Sequence, residues 1–150
     1  VFDDQGARAE RRLDTRARAP ADNALPAGEV QVYRDRRGMF RTVGSINGLP
    51  VGFLVDTGAS AIAMNSTQAR RLGLDFRVDG DSTYVTTASQ VVQAYRLVLD
   101  RVKVGSIELH NVACVVIDGP QPEEVLLGMT FLGRLDMHNE ANRLLLRKKY

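Results

Sequence analysis

The sequence predicts an all-β domain, a closed barrel or a sandwich, with a few short helices. From residue 29 to the end, short apolar or alternating segments are separated by turn residues at regular spacing, the pattern of such domains. The length of 150 residues, with 44% hydrophobic and 25% charged residues, suits one globular domain that buries most of its unfolded-chain surface. Aromatics are only 6% and Trp is absent, so the core is expected to be aliphatic.

The elements follow in order. Asp3–Ala19 is rich in Arg, Ala and acid, with Leu13 as its large apolar residue. Acids early and Arg late suit a helix dipole, and Ala and Arg are good helix formers. Residues 1–28 are therefore read as a polar helix plus a Pro-bracketed linker, Pro20–Gly28, that tethers or docks, and residues 29–150 as the folded domain. Val30 and Val32 alternate with polar residues in a first strand, and Asp35–Gly38 turns. Met39–Ile46 and Leu49–Val55 form a hairpin across Asn47-Gly48, a pair that favours the tight turn. Ala61–Met64 is a short apolar run. Asn65-Ser66 caps a helix to Leu72, and Gly73 stops it. Thr83–Thr87 and Val91–Val104 are strands, then Ile107–Leu109 and Val112–Ile117 after the Gly105-Ser106 turn. Asp118–Glu124 is a loop, Val125–Leu127 a strand end, and Gly128 opens a helix to about Leu135. Asn139–Asn142 turns into a last strand, Leu144–Arg147.

Composition excludes several function classes. A net charge of +2 is too small to mark a nucleic-acid partner. The single Cys cannot build a disulfide framework, and His110 and His138 lie near neither Cys nor each other, which gives no zinc pattern. No apolar run reaches the roughly 18–20 residues of a membrane span. Cys114 reads as a buried small hydrophobe, His110 and His138 as surface residues at or near turns, and Met39, Met64, Met129 and Met137 as core fillers.

The chemically informative segment is Phe53-Leu54-Val55-Asp56-Thr57-Gly58-Ala59-Ser60. A carboxylate follows an apolar strand, and burying it ionised and unpaired would cost several kcal/mol. Taken alone, the segment fits a strand-end turn equally well, because Asp, Thr and Gly are all turn residues. Downstream stands Val125-Leu126-Leu127-Gly128, followed by Met129-Thr130-Phe131-Leu132-Gly133-Arg134-Leu135-Asp136. Two hydrophobics and a Gly leading into a short helix, after Asp-Thr-Gly, resemble the aspartic proteases. With this length, the pair of motifs resembles the single-lobe, retropepsin-like branch and its bacterial members, from about Arg37 to Arg147.

That resemblance implies a closed retropepsin-like β-barrel with short helices, the acid-protease fold, working as a homodimer. The chain holds one Asp-Thr-Gly, whereas such a site needs two aspartates. Asp56 and its symmetry mate would therefore form the catalytic dyad on the two-fold axis, with a polypeptide as substrate and no metal or cofactor. In this family Thr57 reaches across to the partner loop, Gly58 lets the loops approach, and Ala59 lies near the site wall. Ser60 is assigned to buried backbone groups, and Leu126, Leu127 and Gly128 to scaffold beneath the loop. The hairpin Asp81–Tyr95 takes the place of the flap, with its tip at Thr87-Ala88-Ser89-Gln90. Relatives carry Gly there, which leaves the turn type of this tip open. Tyr84 is either a flap aromatic or a cross-strand packing residue; Thr87, Ala88 and Ser89 are flap candidates for substrate contact. Ile62, Val85 and Val91 would line aliphatic pockets. Leu144–Arg147 is too apolar for an exposed edge and would interleave with the partner's chain ends. The alternatives are a catalytically silent peptide-binding or assembly module on the same fold, or a monomeric barrel. The chain begins with Val1 rather than Met, so a signal or membrane anchor is expected upstream. Similar bacterial proteins often carry such an anchor with the domain outside the cytoplasm, and the resemblance would put this one on the periplasmic face of the inner membrane.

Overall fold

The alternating segments from Glu29 onward become strands in the computed structural model, which describes residues 25–149. The expected helix at Asp3–Ala19 lies outside the described residues, as do residues 20–24 of the linker. The chain order is β1 (Glu29–Tyr33), β2 (Arg41–Ile46), β3 (Leu49–Val55), β4 (Ile62–Asn65), α1 (Ser66–Arg71), α2 (Phe76–Asp79), β5 (Asp81–Thr86), β6 (Val91–Val104), β7 (Ile107–Ile117), β8 (Val125–Leu127), α3 (Met129–Leu132), β9 (Leu135–Glu140) and β10 (Arg143–Lys148).

Six strands close a barrel. β2, β3, β8, β4, β7 and β6 pair in that order, and β6 pairs back onto β2 through Gly44–Val104, Ser45–Lys103 and Ile46–Val102. Closure leaves no free edge within the ring. Gly44 is needed there: a Cβ at this position would stand 2.1 Å from the Lys103 carbonyl oxygen. Two pairings are parallel, β3 with β8 and β4 with β7. Among the described residues β5 pairs only with β6, and it extends as a hairpin arm. Phe53, Phe131, Ile46, Ile62, Leu127 and Leu132 are almost wholly buried in the core, each burial contributing about 2–3 kcal/mol of transfer free energy. Phe76 and Tyr95 meet in a tilted contact, 5.3 Å between ring centroids with 57° between the ring planes, which packs α2 onto β6.

β6 and β7 change face together. Leu99 and Val102 are both fully buried, and so are Val112 and, nearly, Leu109. A spacing of three means that each strand has shifted its in–out alternation by one. The shift falls at Asn111, which adopts a left-handed backbone with φ 55°. Arg134 donates to the carbonyls of His110 and Asn111, at 2.6 Å each. On the β6 side, Asn47 exchanges two bonds with Arg101 across 2.9 and 3.0 Å. Residues 107–117 thus form one strand with a corner, where the sequence suggested two strands.

The remaining strands form a second, three-stranded sheet, β1-β10-β9, packed on the same core through Val30, Val32, Leu144 and Leu146. This corrects the expectation that Leu144–Arg147 offers an edge to a partner chain. β10 is central, paired with β1 on one side and β9 on the other, so its apolar residues are satisfied within the chain. The helix expected to run to Leu135 stops at Leu132, and Leu135 begins β9. The four-residue helix α2 was not anticipated. α1 starts as expected: Asn65 and Gln68 form a reciprocal capping box, and Gly73 with φ +72° ends it. Met64 is core and Met129 half-buried, but Met39 and Met137 are 40% and 38% exposed rather than core fillers. His110 and His138 are exposed within strands, not at turns. Among the described residues no helix is long and apolar enough to cross a membrane.

Candidate active site

Asp56 stands immediately after β3, half-buried, at the point where the central strand leaves the barrel. β3 runs parallel to β8 in the register Phe53–Val125, Leu54–Leu126, Val55–Leu127. The Asp56 amide then continues that ladder by donating to the Leu127 carbonyl at 3.1 Å. The turn folds on itself: Gly58 N–H donates to Asp56 Oδ1 at 2.9 Å, and Ala59 N–H to the Asp56 carbonyl at 3.2 Å. A backbone donor on the carboxylate fixes its rotamer. A Cβ at Gly58 would stand 3.2 Å from Asp56 Oδ1, so glycine keeps the carboxylate uncrowded.

α3 supplies the next fastening. Met129 N–H donates to the Ala59 carbonyl at 2.9 Å. Thr130 Oγ1 accepts from Ile62 N–H at 3.1 Å and donates to the Ala113 carbonyl at 2.7 Å. Gly128 makes this approach feasible. A Cβ there would come within 2.1 Å of the Ala61 carbonyl oxygen and 2.8 Å of that of Ala59. Leu127 is fully buried and Leu126 half-buried.

At the far end of β8, Arg41 grips Glu124 through two bonds of 2.7 Å and also pairs with Asp35. The Arg41 hydrogen bonds hold the Glu124 carboxyl below its ordinary range, against a smaller opposing effect of desolvation. Asp35 itself closes the turn before β2, accepting from Arg37 and Met39 amides.

The structure thus brings together Asp56, Gly58, Ala59, Leu127 and Gly128, with Leu126 on the paired strand. Thr57 and Ser60 are exposed, so Ser60 is not enclosed among buried backbone groups as the sequence suggested. The flap candidates sit apart on the β5–β6 arm. Its tip is closed by Thr87, whose amide donates to the Gln90 carbonyl at 2.8 Å and whose hydroxyl accepts from Gln90 N–H at 3.1 Å. Ala88 and Ser89 are exposed between them. Tyr84 pairs with Gln93 and is 71% exposed, so its ring is not packed in the core. Ile62 belongs to the core rather than to a pocket wall, whereas Val91 is exposed and Val85 half-exposed. Met129 was read from sequence as a core filler and Thr130 was given no role; a lone hydroxyl in the apolar stretch Met129–Leu132 was the available signal. Cys114 is buried, which pushes its thiol up to about 12.

Comparison with known proteins agrees with this architecture. Residues 42–134 match the family model described as gag-polyprotein aspartyl protease. A retropepsin-like aspartic protease from Rickettsia conorii superposes with a TM-score of 0.71 at 32% identity, covering 81% of this chain and 91% of that one. The EIAV protease complexed with the inhibitor HBY-793 shares the fold at 21% identity and a TM-score of 0.53, covering 68% of this chain and 92% of that one. An uncharacterised protein in the cobV 5′ region of Sinorhizobium sp. is 34% identical over 109 residues, 73% of this chain and 47% of that protein. The chain spans about half the length of the curated relatives it matches. A closed barrel carrying Asp-Thr-Gly at the end of a strand braced by Leu-Leu-Gly defines the aspartic-protease class. Within it, the chain belongs to the bacterial retropepsin-like aspartic proteases.

Proposed function

We propose that the protein is an aspartic endopeptidase, assembled as a homodimer in which two Asp56 residues meet at the two-fold axis. The observation that carries this reading is the fastening of the Asp56 turn, whose carboxylate is oriented by the Gly58 amide at 2.9 Å. Two carboxylates a few ångströms apart cannot both ionise cheaply, so they share a proton and their apparent pKa values split. The ionised partner takes a proton from a water lying between them. The protonated partner donates to the scissile carbonyl oxygen as the water attacks. The tetrahedral intermediate collapses when the leaving amine is protonated, and no covalent intermediate forms. Thr57, exposed beside Asp56, would bond across the axis and hold the two loops in register. The β5–β6 arm would close over an extended polypeptide, with Tyr84, Thr87, Ala88 and Ser89 as its contacts.

Cleavage of an unfolded protein by the wild-type chain and by Asp56→Asn, with and without a statine-type transition-state mimic, tests the reading. Turnover lost in the variant and blocked by the mimic supports it. Binding of peptides without turnover would favour a silent assembly module instead.

A further inference from the structure

We propose that Thr130 is a positioning residue for Asp56: its hydroxyl fixes the end of the active turn and thereby the placement of the carboxylate. The inference rests on the reading of Asp56 as catalytic. The turn that follows β3 is fastened at its start by the Asp56–Leu127 backbone bond and in its middle by the Met129–Ala59 bond. At its end, where β4 begins, Ile62 N–H meets the Thr130 hydroxyl at 3.1 Å, and that hydroxyl donates to the Ala113 carbonyl at 2.7 Å.

The register explains why a side chain is needed. β4 and β7 are parallel, with Ile62 beside Cys114. Ala63 faces the other way, pairing with Leu126 of β8. Ile62 N–H is therefore turned toward β7, where a regular parallel rung would lead to the Ala113 carbonyl. The Thr130 hydroxyl stands between those two groups and serves both. One hydroxyl has one proton to give, so the donation to Ala113 directs its lone pairs at Ile62. The hydroxyl thus ties the start of β4, and with it the end of the turn carrying Asp56, to both α3 and β7.

The fixed point behind the hydroxyl is rigid. Phe131 and Leu132, the next residues of α3, are fully buried, and Ile62 is fully buried as well. Removing the hydroxyl leaves a buried N–H and a carbonyl without their shared partner, and the turn shifts to recover them. Such a shift moves the reacting carboxylate while leaving the β5–β6 arm in place. It should therefore lower kcat more than it raises KM.

The test uses the full chain, comparing Thr130→Val, which keeps the shape and loses the hydroxyl, with Thr130→Ser, which keeps the hydroxyl. Reporter-peptide kinetics should show kcat for the valine variant down by about 10-fold or more with KM within about 2-fold, and serine within about 3-fold of wild type. Amide exchange at Ala59 and Ile62 should be faster in the valine variant only. Equal kinetics for wild type and valine, or equal losses for valine and serine, would overturn the proposal. If valine prevents folding, Thr130→Cys, of similar shape and weak hydrogen bonding, carries the same comparison with serine. Asp56→Asn is measured alongside: if it keeps wild-type turnover, the catalytic reading falls, and the exchange rates alone still decide whether Thr130 holds the turn.

Discussion

The amide of Met129 donates to the carbonyl of Ala59 at 2.9 Å, joining the first turn of α3 to the loop that carries Asp56. These residues are 70 positions apart in the chain, yet one hydrogen bond makes the loop and the helix a single unit. The consequences can be measured at Asp56 itself, at the assembly, at the glycine beside Met129, and at the groups that flank the unit.

Asp56→Asn should abolish peptide hydrolysis, with a loss of at least about 1000-fold, because the substitution would remove both carboxylates of the proposed dyad together. Folding should be unaffected, since Asn offers the same oxygen to Gly58 N–H. Circular dichroism and a peptide-cleavage assay check both parts.

Mixing wild-type chain with an equal amount of Asp56→Asn chain, and allowing subunits to exchange, should reduce activity per total protein to about a quarter, because random pairing leaves one dimer in four with two carboxylates. Activity should also fall on dilution below the dimer dissociation constant. Activity at half the starting level in the mixture, unchanged by dilution, would point to a monomeric catalyst.

Gly128→Ala should destabilise the chain by about 2 kcal/mol or more, as expected for an overpacked site, because its Cβ would stand 2.1 Å from the Ala61 carbonyl oxygen. Gly52→Ala is the control. Among the described residues nothing lies within 4 Å of its Cβ position, and its stability should stay within about 0.5 kcal/mol of wild type. Urea denaturation of the two variants separates them.

Glu124→Gln should weaken the fold at neutral pH by a small amount. Arg41 holds the Glu124 carboxyl low, chiefly by hydrogen bonding. A depressed carboxyl contributes stability above its unfolded value and loses it as the pH falls through the folded value. The difference between wild type and variant should therefore shrink below about pH 4, the unfolded carboxylate range. Thermal melts at neutral and acidic pH check the sign.

Cys114 should resist thiol reagents at pH 8 in the native state and react quickly in denaturant. Burial holds its thiol near 12, so almost no thiolate is present, and the reagent has no path to it. Fast labelling of the folded chain would show that β7 opens locally.

The sequence by itself determined what local chemistry specifies. Asn47-Gly48 and Gly105-Ser106 placed the hairpins, Asn65-Ser66 the cap of α1, and Asp56-Thr57-Gly58 with Leu126-Leu127-Gly128 the candidate site and the family, because turn dihedrals, capping bonds and motif residues are decided by near neighbours. The tertiary structure decided where partners were non-local. β9 carries mostly polar residues on an outer strand, so no apolar alternation announced it. The apolar Leu144–Leu146 looked like half of an intermolecular sheet, yet β1 and β9 of the same chain enclose it. The corner at Asn111 depends on Arg134 reaching back from beyond α3, and the role of Thr130 on Ile62 and Ala113 meeting it from two different strands. Apart from the β9–β10 hairpin, each of these contacts spans at least 17 positions of sequence, a range over which local propensity says nothing and only the tertiary fold brings the groups together.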